Sequence, residues 1–348
     1  MKFLRRVGLL LICGMILLSC EKEGGTVYIN TDEDDMDRDM VFFVSKKGSL
    51  GDLGYVDALY RGVVKGAYSC NLMTSLVEFP ADTSRALTTL EYMLDYMQND
   101  KPDRKALVVI ANEGLEPVLH RYESLLTKAQ NVDFLLCESG DTTLPVYTLK
   151  IRQYGVYYQA GMLVSENMSD VDSVLIVKAN PTDSGLAEMS SGFAQAITDS
   201  GSGIYVESVC LSENSGGYDL ASDAYQKSYD IDRNFDLVVP LCGGSAQGFY
   251  RYNRENPESF YTLGVDTDMQ IYSTRVPFSV TKHLEDILDE WITSWCFEDG
   301  DPTEHQSFGL SSGATGILVA DSYEAFLGGI ADRYYDTAVK KEAEYESR

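Results

Sequence analysis

Short apolar runs rich in Val, Ile, Leu and Phe recur along the chain at Val41–Val44, Ala106–Ile110, Phe134–Cys137 and Val174–Val177. They continue at Ile204–Val209, Leu237–Leu241, Tyr261–Val265 and Gly316–Val319. Each is the length of a strand and rich in apolar and β-branched residues, so each reads as a strand. Between them the apolar positions recur with helical spacing. These segments are Gly54–Tyr68, Ser84–Gln98, Leu115–Lys128, Gln153–Asn167, Gly185–Asp199, Gly217–Tyr229, Gly248–Asn253 and Val280–Cys296. Strand-then-helix repetition with short connections predicts an α/β protein built on parallel sheets.

The start of the chain follows a different pattern. Lys2, Arg5 and Arg6 precede an apolar stretch from Val7 to Leu18, and Ser19 stands directly before Cys20. The stretch is too short to span a bilayer comfortably and reads as a signal peptide over residues 1–19. Cys20, after a small residue, fits a lipobox and is expected to be acylated as the mature N-terminus. Residues 20–40, with Gly24-Gly25 and the acidic run Asp32–Asp35, are expected to form a flexible tether. The protein is thus expected in a bacterial cell envelope, held to a membrane through a lipid.

Charge narrows the partners. The chain of 348 residues carries a net charge of −26, and losing the basic leader would leave about −29. Binding to phosphate backbones needs clustered Lys and Arg, and none of the basic residues form a sizeable block, which argues against nucleic acid. Apart from Cys13 and Cys20, the cysteines Cys70, Cys137, Cys210, Cys242 and Cys296 are an odd set with no CxxC spacing. They are expected to sit in strands as small apolar residues, with no disulfide frame, metal or cofactor.

Candidate chemistry concentrates where strands end. Val44 leads into Ser45–Gly54, Ile110 into Ala111-Asn112-Glu113-Gly114, and Cys137 into Glu138-Ser139-Gly140. Leu241 leads into Cys242–Gly248, and Val265 into Asp266-Thr267-Asp268. In open parallel sheets ligands lie outside the carboxyl ends of strands, so these corners predict one ligand cleft. None completes a catalytic motif. Lys46 and Lys47 precede the glycines of the first corner instead of following them, and Gly51-Asp52-Leu53-Gly54 does not match GxGxxG. Gln247 stands where a nucleophile elbow beginning at Gly243 requires glycine. The three histidines, His120, His283 and His305, form no HExxH or other close metal pair in sequence. Among 23 tyrosines, Tyr55 is singled out because it follows the first glycine corner and should face the strand ends. A glycine corner that lacks a phosphate lysine and ends in an aromatic suits a neutral ring-bearing solute.

The ordered series Gly48–Tyr55, Gly243–Gly248, Gly264-Val265-Asp266 and Ser279-Val280-Thr281-Lys282 resembles the basic membrane lipoprotein family, solute-binding lipoproteins of bacterial ABC importers that include purine nucleoside receptors. Phe308-Gly309-Leu310 with Gly316-Ile317 is similar to that family's closing segment. The resemblance implies a type I periplasmic-binding fold, two three-layer α/β lobes joined by a hinge. Residues 41–150 with 280–300 would form one lobe, and 151–279 with 301–348 the other. It further implies capture of a solute, with a purine nucleoside favoured, delivery to an ABC permease, and no catalysis. Tyr55 would stack on the base, Asp266 would accept from ribose hydroxyls with Lys282 beside it, and Gly243 and Gly244 would line the cleft. Ser49, Asp52, Asp57, Asn112, Glu113 and Ser245 complete the expected ligand-binding set. Val56 replaces an asparagine common in the family, and no acidic residue is evident in Tyr154–Gly161, so the base-facing half departs from the pattern. Two other readings remain open, a sensory or surface receptor of the same fold for a sugar-like ligand and a nucleoside hydrolase.

Overall fold

The computed structural model describes residues 26–29, 38–79, 83–112, 114–297 and 304–348. The signal peptide, Cys20 and Glu113 lie outside the described residues. In chain order the first elements are β1 (Thr26–Ile29), β2 (Met40–Lys46), α1 (Tyr55–Ser69), β3 (Met73–Phe79), α2 (Thr83–Asn99) and β4 (Ala106–Ile110). Next come α3 (Glu116–Arg121), α4 (Glu123–Leu126), β5 (Val132–Cys137), β6 (Tyr147–Ile151), α5 (Tyr154–Asn167), β7 (Ser173–Lys178) and α6 (Ser184–Ser200). Then follow β8 (Tyr205–Cys210), α7 (Ala221–Ile231), β9 (Leu237–Leu241), α8 (Gln247–Glu255), β10 (Tyr261–Thr262), β11 (Gly264–Asp266) and β12 (Phe278–Lys282). The chain closes with α9 (Leu284–Phe297), β13 (His305–Phe308), β14 (Thr315–Val319), α10 (Glu324–Leu327) and α11 (Tyr335–Glu346).

The first sheet has the order β1-β3-β2-β4-β5-β6-β13. Only its edge strand β1 runs antiparallel to its neighbour. Alternation splits its core into two layers. Phe42, Val44, Val108 and Ile110 pack with Leu90 and Leu94 of α2, while Val41, Phe43, Leu107 and Val109 pack with α1 and α9. The second sheet, β10-β9-β7-β8, is parallel throughout, and a third, β11-β12-β14, packs into the same core beside it. The two-lobed type I architecture expected from the sequence is the one the chain adopts.

Four expectations need correction. Thr26–Ile29, placed in the tether, pair with β3 from Thr26↔Glu78 to Ile29↔Ser75, because a β-branched and aromatic run met an open sheet edge. Val280–Lys282, read as the start of a helix, belong to β12, buried between β11 and β14; the helix begins only at Leu284. Residues 301–348 do not all join the second lobe, since His305–Phe308 pair with β6 in the first sheet. Of the cysteines, Cys137 and Cys210 lie in strands, whereas Cys70 caps α1 and Cys296 sits in the last turn of α9.

The chain passes between lobes side by side at two places, where Arg152 N–H donates to Phe308 O at 2.7 Å. Buried carboxylates hold these crossings. Glu188 of α6 accepts from the N–H groups of Gln153 (2.6 Å) and Tyr154 (3.0 Å), satisfying donors that open α5. Glu342 of α11 accepts from Gly155 N–H on one crossing and Leu310 N–H on the other, each at 3.2 Å. A third crossing carries β12 into α9, and Lys282 stands on it.

Candidate ligand cleft

Three non-glycine residues with left-handed backbone end strands of the parallel sheets: Asn112 after β4 (φ 55°), Glu138 after β5 (φ 51°) and Asp266 at the end of β11 (φ 69°). Such backbone costs free energy in an L residue and marks places where a side chain is turned to a purpose. Here the turn brings Glu138 and Asp266 to one cation. Lys282 Nζ stands 3.3 Å from Glu138 Oε1 and 3.1 Å from Asp266 Oδ1, with the lysine side chain only 6% exposed. Asp266 Oδ1 is buried, and the Lys282 ammonium is the charged group beside it. The ammonium also lies 5.3 Å from the centre of the Tyr55 ring.

The electrostatics follow from burial and proximity. Burial alone would push Lys282 down, but the charges of Asp266 and then Glu138 raise it above the usual lysine range, so it is a fixed cation. Burial pushes Glu138 up, Lys282 pulls it back, and Asp266 adds to the rise. Two carboxylates against one ammonium leave the site acidic, suited to hydroxyl donors and unsuited to a phosphate.

Tyr55, at the first position of α1, is partly buried, and its hydroxyl donates to Ala111 O at 3.1 Å, fixing the ring at the end of β4. Asp52 and Asp57 shape the loop before α1. Asp52 accepts from the N–H groups of Gly54, Val56 and Asp57, at 2.9, 3.0 and 3.2 Å. Its carboxyl is raised by burial, with those donors opposing and Asp266 reinforcing the rise. Asp57 accepts from Gly51 N–H at 2.7 Å and Leu53 N–H at 3.0 Å. Both oxygens of Asp57 are thus used in building the loop. Ser49 Oγ likewise donates to Lys46 O at 2.7 Å.

On the opposite wall, Ser245 is buried away from the cleft. Its hydroxyl donates to Gly217 O (2.8 Å) and accepts from Leu220 N–H (2.7 Å), pinning one loop to the next. Gly243 lines the cleft, whereas Gly244 packs closely on the next loop, where an added Cβ would stand 3.0 Å from Tyr218 O. Asn112 donates to Glu116 Oε2 (3.2 Å) and Glu138 O (3.4 Å), which braces the two strand ends against each other.

Sequence reasoning missed Glu138, Gln247 and Thr267. Gln247 donates across the cleft to Gly51 O (3.1 Å), and Thr267 Oγ1 donates to Leu53 O (2.9 Å). The loop of residues 51–54 is therefore clasped by the second lobe. The cavity between them, lined by Asp52, Gly54, Gly243, Tyr250, Asp266 and Met269 among others, has a volume of about 10 Å³, room for about one water. A ring-bearing solute enters only if the lobes part. The position of Glu138 at a strand's carboxyl end was the available signal.

The sequence spacing showed no close metal pair, yet Glu116, His120 and Asp141 lie with ligand atoms within 4.8 Å of one another. Glu116 is already engaged by Asn112, and His120 is paired with Asp141.

Two lobes of parallel sheets, joined by crossings and closed on a cleft, make up the type I periplasmic-binding architecture. Solved structures share the fold. One is an ABC transporter solute-binding protein from Aeropyrum pernix K1, 14% identical with a TM-score of 0.67 over 88% of this chain and 92% of that one. Another is a periplasmic ribose ABC transporter protein from Conexibacter woesei, 9% identical with a TM-score of 0.59 over 84% and 95%. A transcriptional activator of the comK gene from Bacillus halodurans is 13% identical, with a TM-score of 0.61 over 86% and 98%. No curated protein matches the sequence. Residues 40–327 match the Bmp family, ABC transporter substrate-binding protein PnrA-like, and the chain belongs to that family. The family is one of substrate-binding proteins for ABC transport. Among the described residues no helix is long and apolar enough to cross a membrane.

Proposed function

We propose that this protein captures a purine nucleoside and hands it to an ABC permease, tethered to its membrane by lipid on Cys20. The observation that carries the ligand reading is the buried Asp266 carboxylate, which lines the cleft and is held 3.1 Å from the cation of Lys282. A ribose diol supplies a donor to Asp266 and an oxygen to Lys282, through charge-assisted bonds worth about 1.5–3 kcal/mol each. Tyr55 flanks the same ammonium and offers a fixed ring edge or face to a base. In this reading the first lobe comprises residues 40–151 with 284–308, the second 152–282 with 310–348, and the two close on the solute.

Mass spectrometry of the small molecule released on denaturing purified protein, followed by titration calorimetry with nucleosides and monosaccharides, tests the ligand. A purine nucleoside is expected. Binding of a monosaccharide alone would remove the base-stacking role of Tyr55 and leave the diol role of Asp266. Turnover of a bound nucleoside would replace capture with hydrolysis. Cys20→Ser is expected to release the protein from membranes, and unchanged membrane fractionation would rule out the anchor.

A further inference from the structure

Helices α1 and α9 run in parallel across the outer face of the first sheet, and their contacts repeat once per turn. A Cβ on Gly62 would stand 2.8 Å from Glu285 O and 2.9 Å from Leu288 Cβ. One turn on, a Cβ on Gly66 would stand 2.9 Å from Ile292 Cβ. Advancing four residues on both helices, the next facing pair is Cys70 and Cys296. The close approach that the glycines permit thus ends on two sulfurs. Cys70 Sγ lies 3.8 Å from Ile292 O, and Cys296 Sγ lies 3.9 Å from Cys70 O.

We propose that Cys70 and Cys296 form a disulfide by exchange with a disulfide donor, stapling the two helices at their carboxyl ends. Both residues are free thiols in this structure, so the bond is a modification the fold prepares. Their exposure sets the order of events. Cys296 is partly exposed and Cys70 buried, and burial together with the hydrogen bond to Cys296 pushes the Cys70 thiol up to about 12. Cys296 therefore reacts first. Its thiolate attacks one sulfur of a donor such as oxidised glutathione, forming a mixed disulfide and releasing one donor thiolate. Cys70 then loses its proton, attacks Cys296 Sγ and expels the second donor thiolate. In sum, two protein thiols are oxidised to one disulfide, and one donor disulfide is reduced to two thiols.

The two cysteines are 226 positions apart, and the chain between them contains residues 152–282 of the second lobe and two of the three crossings. A cross-link over so long a loop restricts the unfolded chain far more than the folded one. The bond lies at the opposite end of α1 from Tyr55, so it is expected to stabilise the first lobe and leave solute affinity unchanged. Its chemistry does not depend on which solute the cleft takes.

The test equilibrates full-length protein with oxidised glutathione, alkylates remaining thiols, and maps non-reduced peptides by mass spectrometry. The expected result is a peptide pair joining Cys70 to Cys296. It should be absent from Cys296→Ser, whose partly exposed position tolerates the change. The oxidised protein should melt at least about 3 °C above its reduced form, while Cys296→Ser shows no such shift. Alkylation of both Cys70 and Cys296 in folded protein after equilibration would overturn the proposal. So would pairing of either with another cysteine.

Discussion

Lys282 Nζ stands 3.3 Å from Glu138 Oε1, an ion pair that joins residues 144 positions apart and links a strand end of the first sheet to the third crossing. The same ammonium neutralises Asp266 at 3.1 Å. Lys282→Met would leave two carboxylates buried against each other. Losing one partner of a buried pair costs about 3–5 kcal/mol, which urea unfolding measures. Adding Glu138→Gln to that variant should recover part of the loss. If the double variant is no more stable than Lys282→Met, the carboxylates are not coupled through the lysine.

Asp266→Ala should weaken solute binding by about tenfold or more, the loss of one charge-assisted bond. The structure adds that it also removes a counter-charge from a buried lysine, so the solute-free protein should lose stability. Calorimetry on the folded variant separates the two effects. Wild-type affinity would remove Asp266 from the solute contacts.

Gly62→Ala would gain about 1 kcal/mol on helix propensity alone. Here its Cβ would stand 2.8 Å from the backbone oxygen of Glu285, which cannot rotate away. The expected outcome is a net destabilisation of about 1–3 kcal/mol in urea unfolding, with solute affinity unaltered. A stabilised variant would show that α1 and α9 slide apart at little cost.

Glu342, on α11, has its carboxyl raised by burial, with Arg152 and the N–H groups of Gly155 and Leu310 pulling it down. A carboxyl raised in the folded state contributes stability that is full below its unfolded pKa. That contribution is lost as pH rises through the higher folded value. The stability of wild type relative to Glu342→Gln should therefore be greatest near pH 4 and decline above about 4.5. Unfolding curves for both proteins across that range check the sign, and a difference that grows with pH would refute it.

The sequence by itself determined the class of fold, because strands buried on both faces must be continuous apolar runs and helices between them must be amphipathic. Ala106–Ile110 and Leu237–Leu241 were legible to the residue for that reason. Less apolar strands were not. Met73–Phe79 alternates buried and partly buried positions, and His305–Phe308 is largely polar, so neither forms the continuous apolar run by which the other strands were read. The order of the glycine corners and of Tyr55, Asp266 and Lys282 was likewise present in the sequence and carried the family resemblance. Which polar groups face the cleft was decided only in three dimensions. Asp57 and Ser245 have the same chemistry as ligand-binding residues, but nearby backbone donors and acceptors engage them first. Glu138 meets Lys282 because two distant strands end at one crossing, and Cys70 meets Cys296 because facing glycines let two helices close. Local pattern sets the elements; the partner of a buried charge or thiol is set by whichever distant group the packing brings within a few ångströms.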